Sequence, residues 1–317
     1  MNKSCFFPSL LILILVAVLS LDSVFAQQVK VRRKIPFSWV VCPDKGKMQN
    51  LCFDFYEPEG KSDTLRPLVI TLFGGGFVVG SRDYEDMVAW CNRLAQNGYA
   101  AASIDYRMMP VHKFNKKGLI RTGYMAAQDV SAAVRFFKAH CDKYRIDTNR
   151  IFLLGQSAGA VAIMHALYMD EDERPAETFL EPELSRMHST GTSEAKKQSF
   201  RVAGAVVLWG CIFDPAIIDV DENTPICMIH GEKDVILSAD SGYAFSIPAL
   251  PYVYGSKVIG ERLKVLGSTP FELHLLADEQ HAFYFKYLYM FQLDKLKFDK
   301  CYGIADAFMR RYGAKSK

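Results

Sequence analysis

The sequence predicts an α/β protein with a mostly parallel central sheet, helices on both of its faces and an antiparallel hairpin at its N-terminal end. Three observations carry this expectation. Val29 to Val41 and Leu51 to Tyr56 alternate apolar and polar residues, the period of paired strands with one solvated face. From Pro67 onward, short apolar runs alternate with helical stretches, the rhythm of parallel strands joined by crossover helices. Between one such strand and one such helix stands Gly155-Gln156-Ser157-Ala158-Gly159.

Before the hairpin, Met1 to Ala26 read as a secretory signal peptide. Lys3 gives the positive start, Leu10 to Leu19 the apolar stretch, and Val24-Phe25-Ala26 the small residues of a cleavage site. The apolar run is shorter than the roughly 20 residues of a spanning helix. Cleavage after Ala26 is therefore expected, with residues 27–317 forming one domain that is secreted or periplasmic and carries no stable membrane span.

The parallel part begins with Pro67 to Phe73, a buried strand, followed by a helix from Tyr84 to Asn97. Tyr99 to Ile104 is a strand and Gly123 to Tyr144 a long helix. Ile151 to Leu154 is a strand, and Ser157 to Met164 starts the next helix. Val202 to Trp209 and Pro225 to Ile229 are further strands, Tyr252 to Leu266 reads as helix, Phe271 to Leu276 as strand, and the C-terminal part as helix. Asp170 to Gln198 breaks the rhythm. It is rich in Glu, Arg, Ser, Thr and Pro and reads as an insertion, either a cap or a plain surface loop. Lys113, Lys116, Lys117 and Arg121 read as a solvated basic loop.

Half of the 317 residues are hydrophobic and 13% aromatic, enough for a substantial core. The formal net charge of +3 gives no support for nucleic-acid binding. Beyond the leader the cysteines are Cys42, Cys52, Cys91, Cys141, Cys211, Cys227 and Cys301, an odd number. Cys42 and Cys52 flank a polar turn, so a bridge across the hairpin and two free thiols both remain open. No cysteine or histidine pair has metal-ligand spacing, and neither metal nor cofactor is expected. The aromatic tail Phe283, Tyr284, Phe285, Tyr287, Tyr289 and Phe291 reads as core and packing surface rather than a carbohydrate platform.

Strand, sharp turn with Ser157 at its tip, then helix is the geometry that exposes a nucleophilic hydroxyl at a helix N-terminus. The glycines on either side leave room for the tight turn. Phe73-Gly74-Gly75-Gly76-Phe77 closes the first parallel strand. Its bare backbone can offer N–H donors from Gly75 and Gly76, which with that of Ala158 form an oxyanion hole. A dinucleotide loop fits the glycines poorly, because the spacing is off by one and no helix starts there.

A serine hydroxyl needs a base, and the base needs an orienting acid. On this kind of sheet the chain order is serine, acid, histidine. Of the histidines after Ser157, His165 is two turns along the same helix, His188 is in the insertion, His230 closes a strand and His274 is inside one. His281 lies in a loop past the last strand and is the expected base. The acid is expected after the preceding strand, in His230-Gly231-Glu232-Lys233-Asp234. Asp234 is the first choice, Glu232 the second and Asp240 the third, while His230 reads as structural.

These segments together, with Asp105-Tyr106-Arg107, resemble the α/β-hydrolase superfamily from Pro67 onward, and within it the carboxylesterase and hormone-sensitive-lipase-like esterases. The resemblance implies the α/β-hydrolase fold, cofactor-free hydrolysis of carboxylic esters, and a structural role for Asp105. Phe73 stands where these esterases usually have histidine, and Gln156 where they usually have Asp or Glu. Met108-Met109-Pro110 is followed by Val111-His112-Lys113 rather than acidic and aromatic residues. The subfamily stays open for that reason. The expected reaction is hydrolysis of a small-molecule or polysaccharide-linked ester through an acyl-enzyme on Ser157, His281 and Asp234. A serine peptidase on the same fold is one alternative, and a non-catalytic binding protein that keeps the fold is another.

Overall fold

The computed structural model describes residues 27–42, 46–60, 64–184, 186–287 and 290–314. The expected signal peptide lies outside these residues, as does Tyr289 of the aromatic tail. The hairpin is made by β1 (Val29–Cys42) and β2 (Lys47–Pro58), antiparallel and in register from Val29 opposite Pro58 to Cys42 opposite Lys47. That register excludes the Cys42–Cys52 bridge. Cys52 sits opposite Pro36, about 17 Å along the ladder from Cys42 at 3.4 Å per residue. All seven cysteines among the described residues are free thiols.

The parallel strands are β3 (Arg66–Leu72), β4 (Ala100–Ile104), β5 (Ile146–Gln156) and β6 (Gly204–Leu208). After a two-residue strand β7 (Cys211–Ile212) follow β8 (Ile226–Gly231) and, beyond the short β9 (Ser241–Tyr243) and β10 (Tyr252–Gly255), β11 (Phe271–Leu276). Their order in the main sheet is β1-β2-β4-β3-β5-β6-β8-β11. Pairing is antiparallel at β1–β2 and β2–β4 and parallel throughout the rest. Every residue of β4, β6 and β8 is buried, which is why these strands are unbroken apolar runs.

Adjacent residues of β3 locate the helical layers. The Thr71 hydroxyl lies 3.4 Å from the thiol of Cys91 on α1 (Glu85–Gln96). Leu72, pointing the other way, packs against Gly159 in the helix after Ser157. Helix α1 therefore covers one face. It is joined there by the C-terminal helix through Trp90, whose ring centroid lies 5.0 Å from that of Phe298. On the other face are α2 (Lys116–Ala139) and α3 (Ala158–Tyr168). Helix α2 starts earlier than its apolar pattern indicates, because the Asn115 side chain accepts the N–H of Gly118 and caps it. The basic cluster is consequently on and before a helix rather than in a solvated loop, and Arg121 is buried against Glu181.

The stretch read as helix from Tyr252 to Leu266 divides into two. Tyr252–Gly255 is strand β10, paired with β7 and β9, and only α4 (Ser256–Leu266) is helical. The aromatic and β-branched run Tyr252-Val253-Tyr254 favours a strand, and apolar content alone does not separate the two. The C-terminal part likewise opens with a hairpin, β12 (Phe285–Tyr287) and β13 (Met290–Leu293), before α5 (Lys295–Gly313). Residues 170–184 and 186–198 form turns and short 3-10 segments tied to α2. Gln128 Nε2 donates to the Arg186 carbonyl at 2.7 Å, and Arg135 Nη2 to that of Thr190 at 2.8 Å. Among the described residues, no helix is long and apolar enough to cross a membrane.

Candidate active site

Ser157 sits between β5 and α3 with φ 51° and ψ −121°, a conformation that a non-glycine residue adopts only where its surroundings enforce it. The enforcement is visible. Its N–H donates to the Leu208 carbonyl on β6 at 3.0 Å, and its own carbonyl accepts the N–H of Val161 in the first turn of α3. A Cβ on Gly155 would come within 2.7 Å of the Gly159 backbone, and one on Gly159 within 2.6 Å of the Leu72 carbonyl. The five-residue motif is thus a steric requirement of the turn.

The loop after β8 and the loop after β11 meet beside this turn, joined by the backbone bond from Lys233 N to Glu279 O at 2.9 Å. The junction brings His281 Nδ1 to 2.6 Å from Asp234 Oδ2 and His281 Nε2 to 2.9 Å from Ser157 Oγ. Asp234 Oδ1 accepts the N–H groups of Ile236 and Leu237 at 2.8 and 2.9 Å. Burial pushes the Asp234 carboxyl up, but hydrogen bonds from His230 and His281 and the charges of those rings outweigh it. They hold the group well below the usual carboxylate range. The ionised carboxylate accepts only, so His281 carries its proton on Nδ1. Nε2 is then left to accept from the serine hydroxyl.

The sequence reading missed part of this arrangement. His230 is fully buried and its Nε2 faces two acceptors, Asp234 Oδ2 at 3.2 Å and the Leu237 carbonyl at 2.9 Å, so that nitrogen must donate. Its Nδ1 lies 2.8 Å from Ser256 Oγ. The residue read as structural is therefore a second donor to the acid, and the His-x-x-x-Asp spacing was the available signal. Glu232 instead faces Lys257 at 3.4 Å, and the Asp240 carbonyl accepts from Gly255. His165 bonds to the Val161 carbonyl, and burial pushes its ring down to about 4. His188 pairs with Ser131.

The glycine loop lies against the turn. Gly75 has φ +124°, and its carbonyl accepts the N–H groups of Val78 and Val79 at 3.1 Å. This folds the loop so that Gly74, Gly75 and Gly76 border the cleft that holds Ser157 and His281. The N–H groups of Gly75, Gly76 and Ala158 engage no acceptor among the described loop and turn residues. Phe73 supports the loop without the usual histidine. Its ring stacks on Tyr106 with centroids 4.4 Å apart, and the Tyr106 hydroxyl donates to its carbonyl at 2.8 Å. Asp105 is held by Arg82 at 2.8 Å, and Arg107 by the buried Asp129 at 3.0 Å.

The cleft measures about 340 Å³ and is walled largely by apolar side chains, among them Val78, Phe114, Trp209, Ile236, Phe245 and Phe285. Besides Ser157 and His281, its polar lining residues are Gln156, Asp86 and Tyr84. A larger hollow of about 540 Å³ opens at the start of β3, away from Ser157. Its arginines Arg66, Arg150 and Arg310 are already paired with Glu57, Asp147 and Asp306. Cys227, Glu272 and His274 bring ligand atoms within 4.8 Å of one another, but Glu272 is engaged by Arg311 and burial drives the Cys227 thiol far upward.

Residues 53–214, just over half of the chain, match the family BD-FAE. The matched segment holds the glycine loop and Ser157 and ends before Asp234 and His281. A probable isoprenylcysteine alpha-carbonyl methylesterase of Oryza sativa subsp. japonica is 31% identical over 149 residues, which cover 45% of this chain and 32% of that protein. An esterase of Mycobacterium tuberculosis is 37% identical over 93 residues, 29% of this chain and 21% of that protein. The chain thus spans about a third or less of the length of these curated relatives. Among solved structures, a thermophilic esterase of Thermogutta terrifontis superposes with a TM-score of 0.57 at 19% identity, covering 92% of this chain and 95% of that one. Motif, sheet order and these similarities agree: the chain has the α/β-hydrolase fold and belongs to the BD-FAE family.

Proposed function

We propose that the chain is a serine hydrolase of carboxylic esters. The observation that carries this reading is the continuous relay Ser157 Oγ, His281 Nε2, His281 Nδ1, Asp234 Oδ2, opening on a cleft bordered by bare glycine backbone. In this reading His281 Nε2 takes the Ser157 proton as Oγ bonds to the ester carbonyl carbon. The N–H groups of Gly75, Gly76 and Ala158 stabilise the oxyanion. His281 returns the proton to the leaving alcohol as the C–O bond breaks. Water then gives a proton to His281 and its oxygen attacks the acyl carbon. The acid leaves as Ser157 Oγ recovers the proton.

The similarity to proteins named as esterases supports the ester as substrate. One structure of the Thermogutta terrifontis esterase is described as phosphorylated by paraoxon, which makes that reagent a suitable probe here. Ser157→Ala is expected to lower kcat/KM for p-nitrophenyl butyrate by about 10⁴-fold or more while the circular dichroism spectrum stays the same. Paraoxon is expected to add one phosphoryl adduct to the wild type and none to the variant. Undiminished turnover in a folded Ser157→Ala protein overturns the assignment. We also propose that the protein acts outside the cytoplasm on a small-molecule or polysaccharide-linked ester, on the strength of the leader-like residues 1–26.

A further inference from the structure

Among the described residues that line the cleft, Asp86 is the only one with a carboxyl group, and no cation lines the cleft beside it. It sits in the first turn of α1 with only 1% of its surface exposed. A directed chain of hydrogen bonds ends on it. The Trp90 indole, which can only donate, gives its Nε1–H to the Tyr284 hydroxyl at 3.2 Å. Tyr284 donates to Gln156 Oε1, so the Gln156 amide must turn its Nε2–H towards Asp86 Oδ2. Every proton in the chain points the same way and Asp86 is its terminal acceptor. Gln156 is the residue before Ser157, and Asp86, Gln156 and Ser157 line the same cleft. Gln156 and backbone N–H groups of the first turn of α1 already donate to this carboxylate, but it has no counter-ion among the cleft residues, and an unpaired charge is costly in an apolar enclosure. A donor arriving from the cleft offsets that cost, whereas a second anion raises it.

We propose that Asp86, held in place by Gln156 and Tyr284, is a specificity-determining acceptor that selects esters carrying a hydroxyl group within the cleft. This rests on the ester-hydrolase reading above. The hydroxyl can belong to the acyl part or to the alcohol part, and the chemistry at Asp86 is the same. Gln156 then has a function at this position of the elbow: its amide both receives from Tyr284 and donates to the acceptor, which an acidic residue there could not do while ionised.

The test compares ethyl butyrate, ethyl 3-hydroxybutyrate and 2-hydroxyethyl butyrate on the full chain at pH 8, in the wild type and in Asp86→Asn. Asparagine keeps the shape and one acceptor but removes the charge. The wild type is expected to favour one of the hydroxy esters over ethyl butyrate by about 10- to 100-fold in kcat/KM, and the responsive one names the side of the ester that Asp86 reads. Asp86→Asn is expected to cut that preference by about 10-fold. Equal rates on all three esters in the wild type overturn the proposal while leaving the hydrolase reading intact. So does a folded Asp86→Asn protein that loses activity on all three in proportion, since that is the signature of a purely structural carboxylate. If the wild type cleaves none of them and paraoxon leaves Ser157 unmodified, both readings fall.

Discussion

Asp234 and Asp86 are both buried carboxyls beside the same cleft, yet their surroundings drive them in opposite directions. Asp234 receives four donors, from Ile236, Leu237, His281 and His230, and stays ionised. Burial pushes Asp86 up to about 6 despite bonds from Gln156 and from backbone N–H groups. The consequence for stability follows by linkage. The folded value of Asp86 lies above that of an unfolded aspartate, near 4, so between the two the folded state binds more protons and stability falls as pH rises. Relative to Asp86→Asn, the wild type is expected to lose about 3 kcal/mol between pH values below 4 and above 6, read from urea denaturation across that range. Parallel stability curves for the two proteins refute it. Ser157 and His281 were legible as residues because their neighbours in sequence carry the signal. Asp86 was not, because its partner Gln156 is 70 residues away and nothing local marks the pair.

At the scale of elements, the turn that presents Ser157 depends on close backbone approach. Gly159→Ala would place a methyl group 2.6 Å from the Leu72 carbonyl and 2.7 Å from that of Phe73, at the point where β3 passes into the glycine loop. The variant is expected to lose about 2 kcal/mol or more of stability, together with the proposed hydrolysis of p-nitrophenyl butyrate, since the Ser157 turn and the glycine loop are displaced at once. A melting temperature equal to the wild type refutes the steric argument. The parallel strands were readable because full burial makes them apolar runs between turn residues. The short strands β7, β9 and β10 were not. They span two to four residues each, and their pairing joins Cys211–Ile212 to Tyr252–Gly255 across the whole of β8. The loop between β9 and β10 nevertheless brings Phe245 to the cleft, 5.3 Å from Phe114 by ring centroids.

Across the whole molecule, two long-range networks fix the sheet to its flanking layers. The buried Arg107–Asp129 pair binds the end of β4 to α2, and Arg82 clasps Asp54 of β2 and Asp105 after β4. Tyr106, between the two anchored residues, donates its hydroxyl to the Phe73 carbonyl, so the Asp105-Tyr106-Arg107 segment acts as a brace for the glycine loop. Among the described residues no disulfide contributes, and Cys141 is the one thiol there that is not buried. N-terminal sequencing of the protein recovered outside the cytoplasm is expected to begin at Gln27, and a mature chain that retains Met1 refutes it.

The sequence by itself determined the fold class, the succession of the long parallel strands, the turn at Ser157, and the choice of Ser157, Asp234 and His281 as residues to look for together. These depend on local periodicity, on glycine spacing and on chain order, all of which are written in neighbouring residues. Only the tertiary structure decided that Cys42 and Cys52 lie apart, that His230 donates to Asp234, that Phe73 supports the glycine loop by stacking on Tyr106, and that Gln156 connects Tyr284 to Asp86. Each of these is a contact between segments distant in sequence or a consequence of strand register. Its geometry is set when the layers pack, not by any local preference of the residues involved.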